Sequence, residues 1–530
     1  MRSLQSFVAM MILVAVLLCP LIGHGEEHVD TFFDGDFEYT INKDGTATII
    51  RWTGEEKYLC VPSELAGKQV SSIKADAFFF GENLSRVELS DGIIELEGDA
   101  FDGCTNLREI ILPNSLRNID SNPFTNCTSL ETIKVSQDHS TLATIDNVLF
   151  DKLDKRLITY PAGNYGINEY AIPHGITKIG DFAFSSCAAL QEVMISDSVT
   201  EIGDYAFFGC EELQKVVIPD NVRDIGHHCF QGCTVLTYIK LPEGISRIED
   251  GMFYCCTSLE TFEIPSSVKE IGRSAFERTK LSAELIIPDG VTAIGDYAFG
   301  GCSYLTKVSI GENVTTIGVN PFASCTRLCT IEVAADNATF ASIEGILYNK
   351  QEKMLISYPC GRPDDGFRIP DGILSIGETA FVNCSMRYVT LPQSLKSIQK
   401  WAFGSCNNLC EITIPKGITE ITEGVFSGCT SLDKVTFEGS ITSIGLQAFM
   451  SCFQLTYIEL PEGVIDIGHF AFAETSISEL VLPQSVQKFG FNSFPNGCIL
   501  TVRRGSKAHD CAVEYGYEFI YEDANDRLYE

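Results

Sequence analysis

The sequence predicts a repeat solenoid of stacked coils, each a short strand, a turn and a short helical segment, with one continuous parallel sheet along one face. Three observations predict it. An apolar residue recurs every 23 residues through Ile179, Ile202, Ile225, Ile248, Ile271, Ile294 and Ile317, and a fixed period of about 20–50 residues marks a repeat architecture. Five residues after this position every one of 16 coils has Phe, from Phe78 and Phe101 through Phe299 to Phe494. Each coil also carries a Leu-x-x-Val-x-Ile run, often closed by Pro, as in Leu213 to Pro219. Its end alternates with strand period, and Pro stops it.

The elements follow in order. Residues 1–25 resemble a secretory signal peptide, with Arg2 as a minimal basic region, an apolar run from Phe7 to Ile22, and Gly23 and Gly25 before a cleavage point. An uncleaved anchor and a lipid-modified Cys19 are the alternatives, although Leu18 is bulkier than the small residue a lipid-modified Cys requires. Residues 26–60 form the N-terminal cap: Phe37, Tyr39 and Ile41 alternate before Asp44-Gly45, and Ala47, Ile49 and Arg51 alternate after it, a hairpin signal. The solenoid occupies 61–495, its repeating column running Ile73, Leu96, Ile119, then Ile179 to Ile317, then Ile376, Ile398, Ile421, Ile444, Ile467 and Phe489. The two long gaps follow Asn122-Pro123-Phe124 and Asn320-Pro321-Phe322, and hold similar inserts near 136–172 and 334–369. In each, two apolar runs around a charged turn predict a β-hairpin. The matched insert positions lie 198 residues apart, so a large block is duplicated. Residues 496–530 form a C-terminal cap, with Ser506 capping a short helix to about Tyr515, and an acidic tail from Glu522.

Composition narrows the function. A net charge of −33 disfavours nucleic acid, which needs clustered Lys and Arg, and also anionic lipid. After signal removal no membrane insertion is expected. Hydrophobic residues at 45% supply a continuous core. Twelve of the 21 Cys fall in one column, eight residues after the repeating Ile, and three of the four coils that lack it have Gly81, Thr279 or Thr475 there. A column held by small residues is a packing position rather than a pairing scheme, and free Cys behaves as a small buried hydrophobe.

The chemistry-bearing residues are few. His227-His228-Cys229 with Cys233 has zinc-ligand types, but both Cys fall in inward columns and both His in exposed ones. Asp34-Gly35-Asp36 and Asp364-Asp365-Gly366 are weighed as calcium turns against plain acidic turns. His139 and His174 flank the first insert with no nucleophile motif nearby. No Gly-x-Ser-x-Gly, P-loop or His-Glu-x-x-His occurs. Neither an enzyme nor a cofactor is expected. The best candidate is the sheet face turned away from the core, where Met194, Val217 and Tyr238 form an apolar cluster with Lys215 and Lys240 beside it.

The 23-residue unit Ile-Gly-Asp-x-Ala-Phe-x-x-Cys-x-x-Leu-x-x-Val-x-Ile-Pro resembles the BspA-type leucine-rich repeat over roughly residues 60–495. The resemblance implies a right-handed leucine-rich-repeat solenoid in a secreted or cell-surface protein of host-associated anaerobic bacteria. Some members are adhesins, so it implies a protein ligand, either a host matrix protein or a bacterial surface protein. Binding residues are not fixed by the motif, and none carries over. The alternative is a structural spacer of the envelope without a specific ligand.

Overall fold

The computed structural model describes residues 30–522. The signal-peptide expectation for residues 1–25 lies outside them, as does the end of the acidic tail. The chain forms the expected solenoid of stacked coils. Its start is an antiparallel meander of Thr31–Asp34, Phe37–Ile41 and Ala47–Trp52, and the third strand passes into parallel pairing with Lys68–Ile73. The turn at Asp44 is fixed by its own carboxylate, which accepts from the Thr46 amide at 3.0 Å and the Thr46 hydroxyl at 2.7 Å.

Each coil contributes to two parallel ladders rather than one. The predicted Val-x-Ile run forms the long ladder, in which Glu192, Lys215 and Tyr238 share one register row and Met194, Val217 and Lys240 another. After the Pro turn, the repeating Ile and the residue before it form a second, two-residue ladder, in which Lys178 pairs with Glu201 and Glu201 with Asp224. Period-2 alternation then sends Val216 and Ile225 inward from opposite faces, and both are buried.

The expected helical segment is refined to consecutive turns. Phe182 and Ser186, flanking the Ala-Phe pair, have φ of 56° and 60°, and Tyr205 at the next coil has 54°. A left-handed residue every fourth position excludes a helix. It instead turns alternate amides toward the next coil: Phe182 donates to Asp204, Phe184 to Ala206 and Ser186 to Phe208, at 2.9, 2.7 and 2.7 Å. These bonds make a third line of coil-to-coil contacts. Among the described residues the one α-helix is Lys507–Tyr515, capped by Ser506 and closed by Gly516 in the left-handed region.

The Phe column is the core. Phe276 and Phe299 stack at 5.3 Å with planes 3° apart, and Phe449 and Phe472 at 5.3 Å and 2°. Across the inserts the spine is continued by tyrosines, Tyr160 on Phe184 at 5.3 Å and Tyr358 on Phe381 at 5.1 Å. Each insert is a three-stranded meander whose last strand joins the short ladder, Arg156–Thr159 in the first and Met354–Ser357 in the second.

The ladders are not continuous. The short ladder breaks between Asp224–Ile225 and Arg247–Ile248, and again between Ser397–Ile398 and Glu420–Ile421. In the long ladder Thr261 keeps a single bridge to Tyr238, Tyr388 alone of its strand pairs with Glu411, and residues 457–460 form no strand. The turn side stays bonded at the first break, with His228 donating to Asp250 and Phe230 to Met252, both at 2.9 Å. The coils therefore fan apart on their strand sides while the turns hold them together.

Candidate functional site

The long ladder presents the predicted patch. Met194 and Val217 are direct register partners, and Lys240 follows Val217 in the same outward row. Lys215 and Tyr238 are partners in the other row. Adjacent parallel strands lie about 4.8 Å apart, so the five side chains make one contiguous surface. Met194 is 49% exposed, Val217 48% and Tyr238 43%, while Val193, Val216 and Ile239 between them are buried. Elsewhere on this ladder Lys307 pairs with Glu332 at 2.8 Å and Lys134 with Glu109 across strands. Among the described residues neither Lys215 nor Lys240 has such a partner.

The patch ends at a hollow. Where the ladder opens beyond Tyr238, a space of about 420 Å³ is lined by Tyr238, Lys240, Phe262, Glu263, Ile264 and Pro265. Phe262 stands where neighbouring coils have Ile239 and Leu285, and its ring packs on Phe253 and Phe276 at 5.3 and 4.8 Å. The segment from 262 to 265 forms no strand, which leaves its backbone without ladder partners on either side. Apolar rings, unpaired lysines and open backbone thus meet at one place. Sequence reasoning missed the hollow, and the signal that marked it was Phe262 in a β-branched or Leu column.

The other candidates resolve into scaffold. Cys229 and Cys233 are buried in the columns expected of them. The His228 ring stacks on Tyr205 at 4.8 Å, and His227 is exposed with its Nε2 3.7 Å from Glu249. Among the described residues no group of three potential ligands could hold a metal ion. Asp34 accepts from the Ala66 amide at 2.6 Å, and Asp364 from the Tyr358 hydroxyl and Arg362 at 2.7 and 2.6 Å. Both carboxylates act as braces. His174 is exposed in a turn.

His139 is buried and acts as a backbone cap. Its Nδ1 accepts from the Thr141 and Leu142 amides at 3.2 and 3.0 Å, so Nε2 carries the proton and donates to the Pro113 carbonyl at 3.1 Å. Asn337, its counterpart in the duplicated block, does the same work with an amide: Oδ1 accepts from Thr339 and Phe340, and Nδ2 donates to Gly311 and Val314.

Two motif residues have roles that spacing alone did not reveal. The Asp of the Ile-Gly-Asp column accepts the amide of the next coil: Asp181 from Asp204 at 2.8 Å, Asp204 from His227 at 2.7 Å, and Asp250, in Ile248-Glu249-Asp250, from Arg273 at 2.9 Å. The Gly of the next coil leaves room for that carboxylate, since a Cβ on Gly203 would lie 2.2 Å from Asp181 Oδ1. The column Cys donates to the Phe carbonyl of the preceding coil, as Cys233 to Phe207 at 3.2 Å and Cys302 to Phe276 at 3.1 Å. Burial pushes the Cys210 and Cys302 thiols up to about 12, so they stay protonated donors.

With this geometry in view, the BspA type leucine rich repeat region (6 copies) matches residues 63–172, 162–282, 269–353 and 374–501. The chain belongs to the BspA-type leucine-rich repeat family. Among solved structures it is similar to a leucine rich cell surface protein from Faecalibacterium prausnitzii, 27% identical, covering 94% of this chain and 96% of that one, with a TM-score of 0.38. It is also similar to a leucine-rich repeat protein from Bacteroides ovatus, 22% identical over 92% and 99% of the two chains, TM-score 0.39. The pneumococcal vaccine antigen PcpA is 14% identical over 93% and 99%, TM-score 0.29. No curated protein matches the chain. From coil to coil in this chain the strand and turn columns recur while the outward rows vary. The patch and its hollow are built from those outward rows and from one altered inward residue.

Proposed function

We propose that this is a secreted or cell-surface protein that binds another protein through the outward face of its long ladder. The observation that carries the reading is the Met194, Val217 and Tyr238 cluster with unpaired Lys215 and Lys240, running into the hollow at Phe262. Aromatic and apolar anchors beside a desolvatable pocket are what binding hot spots are made of. The chain's family, and a similar bacterial protein described as a cell surface protein, support the location. The role is adhesion: a host matrix protein or a bacterial surface protein is the partner class. No helix among the described residues is long and apolar enough to cross a membrane.

The test is a binding screen of the chain from Glu26 onward against matrix proteins, serum proteins and bacterial surfaces. A control carries Met194→Asp, Val217→Asp and Tyr238→Ala. Saturable binding that disappears in the control supports the reading. Binding retained in the control moves the site off this face, and no binding to any panel member leaves the spacer role in its place.

A further inference from the structure

The opposite, short ladder carries a second surface that the protein-binding reading does not use. At the break between Asp224–Ile225 and Arg247–Ile248 lies a groove of about 700 Å³. Its floor has no side chains at Gly180, Gly203 and Gly226, of which Gly203 and Gly226 accommodate the Asp ladder. Its walls are the outward row Arg156, Lys178, Glu201, Asp224 and, across the break, Arg247.

Donors and acceptors are interleaved along these walls. Lys178 lies 3.2 Å from Asp154 and 3.4 Å from Glu201. Arg247 lies 2.8 Å from Glu249. Among the described residues Arg223 bonds only to backbone carbonyls, of Asp220 and of Val222, and Asp224 accepts no bond from a side chain. Asp181 and Asp204 are committed to the amide ladder. Four cations, Arg156, Lys178, Arg223 and Arg247, stand among seven carboxylates, since Asp120 also lines the groove and Asp181 and Asp204 keep their charge. Both signs of charge therefore alternate along one groove, with a formal balance of 4 − 7 = −3.

The scaffold does not require these charges. In the duplicated block the positions of Arg156, Lys178, Glu201 and Arg247 are filled by Met354, Ser375, Ser397 and Ser443, and the same short ladder forms there. One rim of the groove follows directly, through Asp181 and Asp204, onto the stacked rings of Phe182, Tyr205 and His228, whose neighbours lie 4.8 Å apart.

We propose that this groove binds a neutral oligosaccharide. A hydroxyl both donates and accepts, so a ligand made of hydroxyls satisfies interleaved guanidinium, ammonium and carboxylate groups and leaves no charge buried without a partner. An anionic ligand would meet seven carboxylates and a cationic one four cations. An apolar side chain would strip water from both kinds of group with nothing in return. The ring stack that adjoins Asp181, Asp204 and His227 in the chain offers, beside the groove, the apolar contact that sugar C–H faces seek.

The experiment is calorimetric titration of the full chain with maltohexaose, mannohexaose, xylohexaose and chitohexaose, with oligogalacturonate and a mixed peptide pool as charged and peptidic comparators. The variant combines Lys178→Ser, Glu201→Ser and Arg247→Ser, the residues the second block already tolerates. Expected are saturable binding of at least one neutral hexasaccharide, a loss of about tenfold or more in the variant, and an unchanged melting temperature. Should the triple variant melt early, the isosteric Asp224→Asn must also weaken binding. No neutral hexasaccharide bound at up to about 10 mM, preference for the uronate or the peptides, or equal binding by folded variants would each overturn the proposal.

Discussion

At the scale of the residue, the Phe and Cys columns form one device. The Phe184 carbonyl accepts the Cys187 amide of its own coil at 3.2 Å and the Cys210 thiol of the next at 3.1 Å, which occupies both of its lone pairs. Thr279 and Thr475 keep the donor, each bonding to the Phe carbonyl of its own coil at 2.8 Å. Phe299 is fully buried, so Phe299→Ala is expected to destabilise the chain by about 3–5 kcal/mol in urea unfolding. A cost near zero would mean that the spine is not a packing element. The thiols give a second test. Burial holds Cys187, Cys233, Cys325 and Cys429 well above the ordinary thiol range, whereas Cys60 is exposed and Cys255, Cys329, Cys410 and Cys511 are half-buried. Among the cysteines of the described residues, N-ethylmaleimide is expected to label only the latter five before denaturation, read by peptide mass spectrometry. Rapid native labelling of Cys233 or Cys325 would contradict the burial.

At the scale of the element, the inserts show how one fold position is served by two chemistries. His139 and Asn337 each accept two backbone amides and donate to the coil before, so His139→Asn is expected to be nearly neutral, while His139→Ala leaves those amides unsatisfied and costs about 1–3 kcal/mol. The two substitutions compared by thermal melting decide it. The pH dependence has a definite sign. Burial lowers the His139 pKa, partly opposed by its bond to Pro113. The neutral ring therefore contributes stability above its unfolded value, near 6.5, and loses it as pH falls through the lowered folded value. His139→Asn should remove that slope, gaining on the parent chain between about pH 7 and pH 5; parallel stability curves would show that His139 does not titrate against folding. The Gly-Asp pair is the other element-level rule. Gly203→Ala drives a Cβ to 2.2 Å from Asp181 Oδ1 and 2.7 Å from its amide, and is expected to cost about 1–3 kcal/mol.

At the scale of the whole molecule, the ladder breaks matter more than the repeats. The coils are tied continuously along the turn edge and intermittently along the strand faces, and both candidate sites sit at breaks, near Tyr238 on one face and between Ile225 and Ile248 on the other. Hydrogen exchange should therefore be faster at residues 262–264 and 458–460 than at Lys307–Ile310, which pairs on both sides. Uniform protection along the long ladder would mean that the breaks close in solution. The repeat, the Phe spine and the small-residue column were legible because each is enforced in every coil, and so appears as a period. The outward direction of Met194, Val217 and Tyr238 was legible from strand alternation. The hollow beside them was not, because it arises from a single altered coil and from the failure of two strands to pair.

The sequence by itself determined that the chain is a solenoid, which residues point inward, and where two similar inserts interrupt it, because burial of one apolar stripe per coil is a local and repeated demand. Only the tertiary structure decided that each coil carries two ladders, that the Ala-Phe segment is a pair of left-handed turns and not a helix, and where the ladders open. Those outcomes depend on hydrogen bonds between residues 20 or more positions apart, such as the Phe184 amide to Ala206. Such bonds leave no period of their own in the chain.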